Sequence, residues 1–598
     1  MTKLGRRKPN PFKWIRFRIV VVGSVLGIFL VLIVGRAFQL QVLQSERLQS
    51  KAAGQYKKAF EDQSKRGTIY DRNHEELAAS VDVTSICAYP REITSPTKVA
   101  TSLARVLKLD QARLLAKLRS DRYFTWIERH VNPEDVAAVK ALGLNGVGFR
   151  TESRRFYPHK SLAAQVVGFS GTDGTGLEGL EFYYNDVLKG QESKWTVLRD
   201  ALGRGFATPA SASEGKAGLN LVLTIDKNIQ YIAEEALFEG VNTFSAKSGI
   251  ALVMAPGTGE ILAMAHVPRF NPNAFNQYNS WSWRNRVITD SFEPGSTFKI
   301  FLVATALESG LCTPASKFYC EKGSYRVGRN VVHDIHPHDT LSLQDILKYS
   351  SNIGAAKVGE VVGSAYFYHK LLDFGFGGTF GVDASGETRG RLRPAEKWTA
   401  IDAVAVCFGQ GVAVSVLQLG TALSAIANDG LLMKPHLVKE ITGSRGRVVK
   451  TFQPTPLRRV ISPENAWRVK RMMERTVEKG GTGVRAALNG YAVGGKTGTA
   501  QKVDPAVGGY AQDKHIASFI GFVPVESPEI VVVVVIDEPK KRHYGGVVSA
   551  PVFKRIAQET LRYLKVPPEL ATPEWTDAMP DHPGARADEE TGQAPRIS

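Results

Sequence analysis

The sequence predicts an α+β protein: a central antiparallel sheet with helices packed on it and a separate helical lobe, preceded by an elongated mixed region and a single transmembrane helix. Three observations predict it. Strand-like runs fall at both ends of the C-terminal part, with a long, mainly helical stretch between them. A region of short, mixed periodicities comes before them. An uncharged apolar run lies near the N-terminus, directly behind a cluster of basic residues.

The apolar run extends from Ile19 to Gly35. At about 1.5 Å of rise per residue, that is the short end of a span across about 30 Å of hydrocarbon. Phe17, Ala37 and Phe38 lengthen it if Arg18 and Arg36 snorkel. Lys3, Arg6, Arg7, Lys8, Lys13, Arg16 and Arg18 precede the run, with no acidic residue among the first 18. The positive-inside rule then puts the N-terminus in the cytoplasm and the bulk of the chain outside the inner (cytoplasmic) membrane. A cleaved signal peptide is the rival reading. Arg36-Ala37-Phe38-Gln39-Leu40 makes a poor small-residue cleavage site, which favours an uncleaved anchor.

The 598 residues exceed one hydrophobic core and suggest about three to four domain-sized units. A formal charge of +18 fits nucleic acid, an acidic membrane surface or an anionic polymer. The basic cluster sits against the apolar run, and no zinc-finger spacing or nucleic-acid module is visible, so a nucleic-acid partner is set aside. Four cysteines, Cys87, Cys312, Cys320 and Cys407, are too few for a disulfide scaffold. Free thiols are expected; Cys312 and Cys320 are close in sequence, but spacing alone does not pair them.

Residues 1–18 read as a cytoplasmic basic tail, 19–38 as the anchor, 39–218 as a mixed pedestal, 219–566 as the domain carrying the chemistry, and 567–598 as a disordered Pro/Ala/Asp/Glu-rich tail. In the pedestal, Leu40 to Tyr56 reads as a helix leaving the membrane, and Arg66 to Arg72 as an extended segment entering a turn. Helical periodicity recurs around Lys98–Leu107 and Pro133–Leu142. The small, polar stretch from Ser211 to Gly218 reads as a linker. Beyond it, Leu221–Ile225 reads as a strand, and Asp226 caps a helix reaching about Gly240. Ile250–Met254 and Ile261–Ala265 form a hairpin around Pro256-Gly257-Thr258-Gly259. Tyr491–Gly494, His515–Val523 and Ile530–Ile536 are further strands, and the last is apolar enough to be buried on both faces. A helix from about Pro551 to Leu564 follows.

Acyl-transfer chemistry needs a nucleophile, a base beside it and donors for an oxyanion. Serine and lysine three residues apart on one helix share a face, and a desolvated lysine is neutral enough to accept the serine proton. Ser-x-x-Lys occurs three times. Ser95-Pro96-Thr97-Lys98 reads as a helix cap with Pro at the first helical position. Ser213-Glu214-Gly215-Lys216 lies in the linker. Ser296-Thr297-Phe298-Lys299 follows Glu293-Pro294-Gly295 and opens an apolar helix, Ile300 to Leu307, so Ser296 sits where backbone N–H groups favour an oxyanion. Ser350-Ser351-Asn352 is the one Ser-x-Asn in the chain and starts another helical pattern. Lys496-Thr497-Gly498-Thr499 follows in a strand context. Lys247-Ser248-Gly249 also fits Lys-Ser/Thr-Gly, but it precedes the nucleophile and reads as a strand entry. Cys312, Cys320, His333, His336 and His338 invite a metal, yet their spacing matches no standard zinc pattern. The histidines read as solvated loop residues.

The ordered triple resembles that of the penicillin-binding proteins and serine β-lactamases. From the anchor to about residue 565 the chain is similar to class B penicillin-binding proteins. Arg66 to Arg72, Arg155-Phe156-Tyr157-Pro158 and Gly176-Leu177-Glu178-Gly179-Leu180-Glu181 look like that family's pedestal motifs. Arg66, Asp71, Arg155 and Glu181 read as structural ion-pair and packing residues. Arg284 to Asp290 and Glu293 to Lys299 look most like the division-specific, FtsI-type branch, and Gly409-Gln410-Gly411 fits a further family segment. The resemblance implies the penicillin-recognising fold and a peptidoglycan D,D-transpeptidase inhibited covalently by β-lactams. It implies that Ser296 attacks the D-Ala-D-Ala carbonyl of a stem peptide, Lys299 acts as base and Ser350 relays the proton. Asn352 would hold the donor backbone, Lys496 would orient Ser350, and Thr497, Gly498 and Thr499 would bind the terminal carboxylate. The backbone N–H groups of Ser296 and Thr499 would form the oxyanion hole. No metal or organic cofactor is implied. A SEDS-type polymerase such as FtsW and other divisome proteins are the implied partners.

Three rivals remain at this point: an elongation-type transpeptidase, a membrane-bound β-lactamase or β-lactam sensor, and a non-enzymatic scaffold. The long pedestal disfavours the lactamase, since hydrolysing a small drug needs no reach into a wall. The intact triple disfavours the scaffold.

Overall fold

The computed structural model describes residues 11–48, 57–62, 65–190, 193–199, 205–207, 217–504 and 509–569. The helix Pro11–Phe38 continues as one π-turn, Gln39–Leu43. The stretch Phe12–Leu43 is long and apolar enough to cross a membrane, and none of its apolar window is buried. The expected helix to Tyr56 is seen only as far as residue 48. The Ser213–Lys216 tetrad, most of the linker, the first ten residues and the tail from 570 lie outside the described residues.

The chain divides into two units. One comprises residues 1–64 and 191–216 and holds the N-terminal helix and a three-stranded antiparallel sheet, Lys57–Asp62, Ser193–Arg199 and Gly205–Ala207. The other comprises 65–190 and 217–598. The stretch read as one pedestal, 39–218, is therefore shared between them.

In the second unit a seven-stranded sheet runs Val448–Thr451, Val438–Thr442, Asn220–Leu223, Ile69–Tyr70, Glu76–Ala88 and Thr125–Val131, with Val147–Phe156 also paired to Glu76–Ala88. Asn220–Leu223 is the strand expected at Leu221–Ile225. It belongs to this sheet, parallel to Ile69–Tyr70, and not to the central one. Apolar alternation identifies a strand but does not name its neighbour. The ladder thus crosses the boundary read at 218/219. Asp71 ties the same junction: its Oδ2 accepts from Lys227 N at 3.0 Å, and its Oδ1 accepts from Asn73 N and Glu75 N. Nearby, Glu181 is fully buried between Arg66 and Arg155.

The central sheet has five strands in the order Ile261–Val267, Ser248–Met254, Ile530–Asp537, Gly509–Val523, Gly494–Asp504, all antiparallel. Every residue of Ile530–Asp537 is buried, as its unbroken apolar run predicts. The period of two sorts its side chains. Val532, Val534 and Ile536 pack with Ile229, Ala233 and Leu237 of helix Lys227–Thr243 and with Phe553 and Ile556 of helix Ala550–Tyr563. Val531, Val533 and Val535 join the larger core that contains Val416–Ala427 and Lys299–Glu308.

The last strand was expected at Tyr491–Gly494 but begins at Gly494 and carries Lys496–Thr499 within it. Gly494-Gly495 resembles a strand breaker by sequence. In the sheet the pair faces the rings of Phe522 and Phe519: a Cβ at either glycine would lie 2.4 Å from a ring carbon. The helices at Pro96–Leu107, Pro133–Ala141 and Ala550–Tyr563 lie close to their expected places. Ser95 precedes the first of these but makes no side-chain cap; Pro96 alone opens the helix. Ser248 opens the first strand of the hairpin, as expected for the Lys247 decoy.

Candidate active site

The turn that carries Ser296 is held from three sides. Gly295 sits at φ 55° and donates its N–H to Gly409 O at 3.1 Å. Glu293 is buried and accepts from Gly411 N and from Tyr510 Oη, both at 3.0 Å. Burial pushes the Glu293 carboxyl up. A single 3-10 turn, Gly295–Phe298, then runs straight into helix Lys299–Glu308, one residue earlier than the apolar pattern suggested. Phe298 and Phe301 pin this turn against Phe376, with ring centroids 5.0 and 4.9 Å apart. Thr297, Phe298 and Lys299 are buried, whereas Ser296 is partly exposed. Among the described residues no hydrogen bond engages the Ser296 side chain.

Lys299 is fully buried and gives its Nζ to Ser350 O at 2.5 Å, Asn352 Oδ1 at 2.8 Å and Ser350 Oγ at 3.3 Å. Ser350 can present both oxygens because it ends helix Leu343–Tyr349 in the left-handed conformation, φ 63°. That conformation costs a residue with a side chain about 1–2 kcal/mol, so its surroundings must hold it. Lys496 is also fully buried and donates to the same Ser350 Oγ at 2.9 Å. Burial, opposed only by the negative charge of Asp334, pushes Lys299 down to about 7. Burial and the Lys299 charge hold Lys496 well below the ordinary lysine value. One hydroxyl thus joins two lysines that cannot both be charged at little cost.

The edge strand completes the site. Thr497 Oγ1 donates to Thr482 Oγ1 at 3.0 Å, and Thr499 Oγ1 accepts from Gly545 N at 3.1 Å. A Cβ at Gly498 would come within 2.8 Å of Thr297 Cγ2 and 3.0 Å of Pro294 O. The strand therefore lies directly against the Ser296 turn, and only glycine permits the approach. Gly498→Ala is expected to cost about 1–3 kcal/mol through overpacking. It should also slow reaction with a fluorescent penicillin at least ~10-fold, as the strand moves off the turn. Thermal unfolding and gel labelling check the two effects.

Ser296, Ser350, Asn352, Thr497 and Thr499 line one cleft of about 530 Å³. All eight residues singled out in the sequence therefore meet, with Lys299, Lys496 and Gly498 packed behind them. Sequence reasoning missed Asp334, which also lines the cleft, and the Glu293–Tyr510 bond. Asp334 lies within the His333–His338 stretch that invited a metal, but no motif marks it. His338 stacks on Tyr349 with centroids 5.3 Å apart. Among the described residues no three His, Cys, Asp or Glu side chains gather as metal ligands. Cys312 and Cys320 are buried free thiols, and Cys320 Sγ lies 3.7 Å from Ser351 Oγ.

Comparison with known proteins agrees with this geometry. Residues 249–558 match the penicillin binding protein transpeptidase domain, and residues 61–223 match the penicillin-binding protein dimerisation domain. The chain is 34% identical to the probable peptidoglycan D,D-transpeptidase PenA of Neisseria meningitidis, over 92% of its length and 93% of that protein. It is 32% identical to the peptidoglycan D,D-transpeptidase FtsI of Escherichia coli, over 96% of each. It is 34% identical to the stage V sporulation protein D of Bacillus subtilis, over 93% of its length and 87% of that protein. The crystal structure of penicillin binding protein 3 from Mycobacterium tuberculosis with aztreonam superposes with a TM-score of 0.68 at 27% identity, covering 86% of this chain and 99% of the other. With the fold, the two domain matches and the near full-length relatives in agreement, the chain belongs to the class B penicillin-binding proteins, enzymes built on a transpeptidase domain.

Proposed function

We propose that the chain is a membrane-anchored peptidoglycan D,D-transpeptidase that works through an acyl-enzyme on Ser296. The observation that carries this reading is the convergence of the Ser296 turn, the Ser350–Asn352 turn and the Lys496–Thr499 strand on one cleft, with two desolvated lysines behind it. Ser296 Oγ attacks the penultimate D-Ala carbonyl of a donor stem, and Lys299 takes its proton. The developing oxyanion is met by the backbone N–H groups of Ser296 and Thr499. Collapse breaks the peptide bond, and the departing D-Ala nitrogen receives a proton through Ser350, whose hydroxyl Lys496 orients. Asn352 holds the donor backbone, while Thr497, Gly498 and Thr499 receive the terminal carboxylate. An amine from a second stem then attacks the ester, forms the cross-link and frees Ser296.

The boundaries 39–218 and 219–566 are our assignment of the pedestal and transpeptidase regions. The basic N-terminus faces the cytoplasm, and the site lies outside the inner membrane. The FtsI relatives support a septal role, with a glycan polymerase of the FtsW type as its partner. Imaging a fluorescent fusion separates a mid-cell enzyme from a sidewall one.

The test of the chemistry uses purified chain in detergent with a fluorescent penicillin, followed by peptide mass mapping. A long-lived adduct on Ser296 is expected. A donor stem ending in D-Ala-D-Ala should release free D-Ala in step with coupling to an amine acceptor. Rapid turnover of the drug would favour a lactamase, and no adduct, or one elsewhere, would refute the reading.

A further inference from the structure

Three acceptors surround the Lys299 ammonium, and all three come from the Ser350–Asn352 turn. One carboxylate from outside the turn accepts three of the hydrogen bonds that hold it. Asp334 Oδ1 accepts from Asn352 N at 2.5 Å and from Ile353 N at 3.0 Å. Its Oδ2 accepts from Ser351 Oγ at 2.6 Å. The neighbouring His333 carbonyl accepts from Asn352 Nδ2 at 3.1 Å. Ser351 Oγ in turn accepts from Gly354 N at 2.8 Å. The first three N–H groups of helix Asn352–Val362 are thus all satisfied, two by Asp334 directly and one through Ser351. On the other side the turn is tied by the backbone N–H groups of Ser350 and Ser351, both donating to Ile346 O. The left-handed Ser350 therefore lies between a helix C-terminus and a helix N-terminus that Asp334 clamps.

We propose that Asp334 is the positioning residue for the base: it locks the Ser350–Asn352 turn so that Ser350 O, Ser350 Oγ and Asn352 Oδ1 aim Lys299 Nζ for proton transfer. It stands to Lys299 as the orienting carboxylate stands to the base of a nucleophile–base–orienter set, acting through asparagine and serine instead of by direct contact. Its charge acts in the same direction. When Lys299 takes the serine proton, an ammonium forms in a buried site, and Asp334 is the one anion acting on it. Lys496 from the edge strand and the Cys320 thiol, which is pushed up by burial with Asp334 adding to the rise, also face this pair, and His336, His338, Tyr349 and Arg485 line the same cleft. The inference rests on Ser296 being the acylated serine.

The test is the acylation rate constant of the full chain with a chromogenic penicillin from pH 5.5 to 9, together with melting temperature. Asp334→Ala removes clamp and charge. It is expected to lower the high-pH plateau by ~10- to 100-fold, the scale of a misplaced catalytic group. Asp334→Asn keeps an acceptor oxygen for the two backbone donors and should recover most of that loss. In both variants the midpoint of the pH profile should move to lower pH, because Lys299 loses the anion that favours its protonated form. Wild-type plateau and midpoint in both variants would overturn the proposal. So would equal losses in both that track a lower melting temperature with the midpoint unmoved, which would make Asp334 only a helix cap. A wild-type chain that forms no adduct overturns the reading of Ser296 and this inference with it. A reactive wild type beside unaltered variants overturns this inference alone.

Discussion

Lys299→Met leaves a folded chain that reacts with a penicillin about 10²- to 10⁴-fold more slowly, the range a general base contributes. Methionine fills the space of the lysine stem, one atom short of Nζ, and suits a fully buried position, so the amine is removed with little loss of packing. Stability should change little, since relief of the buried cationic group is offset by leaving Ser350 O and Asn352 Oδ1 without their donor. The wild-type pH profile should follow the same group. Burial lowers Lys299 from 10.5 to about 7. Below that value the ammonium form dominates and cannot accept the Ser296 proton; above it the neutral amine is ready. The acylation rate therefore rises with pH through about 7 and levels off, and it falls toward tenfold per unit on the acid side. Stopped-flow acylation from pH 5.5 to 9 with melting temperatures checks both. A flat profile, or a Met variant as fast as wild type, would remove Lys299 from the chemistry.

The second large effect lies in the pedestal. Glu181→Gln should destabilise the chain by about 3–5 kcal/mol, the cost of leaving buried charges without their partner. Arg66 Nε donates to Glu181 Oε2 at 2.5 Å, and Arg155 Nε donates to Oε1 at 2.6 Å. Tyr157 Oη adds a third contact to Oε1 at 3.3 Å. The arginine side chains are 5% and 4% exposed and the glutamate 0%, so water cannot replace the lost carboxylate. Both guanidiniums are anchored elsewhere, Arg66 to Gly174 O and Asn185 Oδ1 and Arg155 to Gly67 O, so neither is free to leave. Burial raises the Glu181 carboxyl, but the charges and hydrogen bonds of Arg155 and Arg66 outweigh it, and the group sits below the usual carboxylate range. Its contribution is thus complete above about pH 4.5 and is lost as pH falls through the folded value. Urea unfolding at pH 7 measures the loss. Acylation of the fraction still folded should persist, because Glu181 touches none of the groups in the cleft. A change below ~1 kcal/mol would show the cluster to be replaceable.

Several elements were legible because local pattern decides them. The run Ile530–Ile536 reads as a doubly buried strand and is one, and Asp226 caps its helix through Asn228 N and Ile229 N as its chemistry predicts. Local pattern failed where a distant partner decides. The strand read at Tyr491–Gly494 begins instead at Gly494, where Gly494 and Gly495 make room for Phe522 and Phe519 across the ladder. The strand at 220–223 looks like part of the central sheet until Ile69–Tyr70 takes its edge. Asp334 is one aspartate among loop histidines until helix Asn352–Val362 brings its bare N–H groups to it.

The amino-acid sequence by itself marked the apolar N-terminal helix, the fold class and eight residues that meet at one cleft, because charge pattern, periodicity and motif order are properties of neighbours along the chain. Only the tertiary structure decided how those residues act on one another. Burial of Lys299 and Lys496 behind one serine, the left-handed Ser350 that joins them and the Asp334 clamp all depend on groups far apart in sequence. Desolvation and hydrogen-bond geometry arise only when such groups share one enclosed space, and no local pattern encodes which groups will share it.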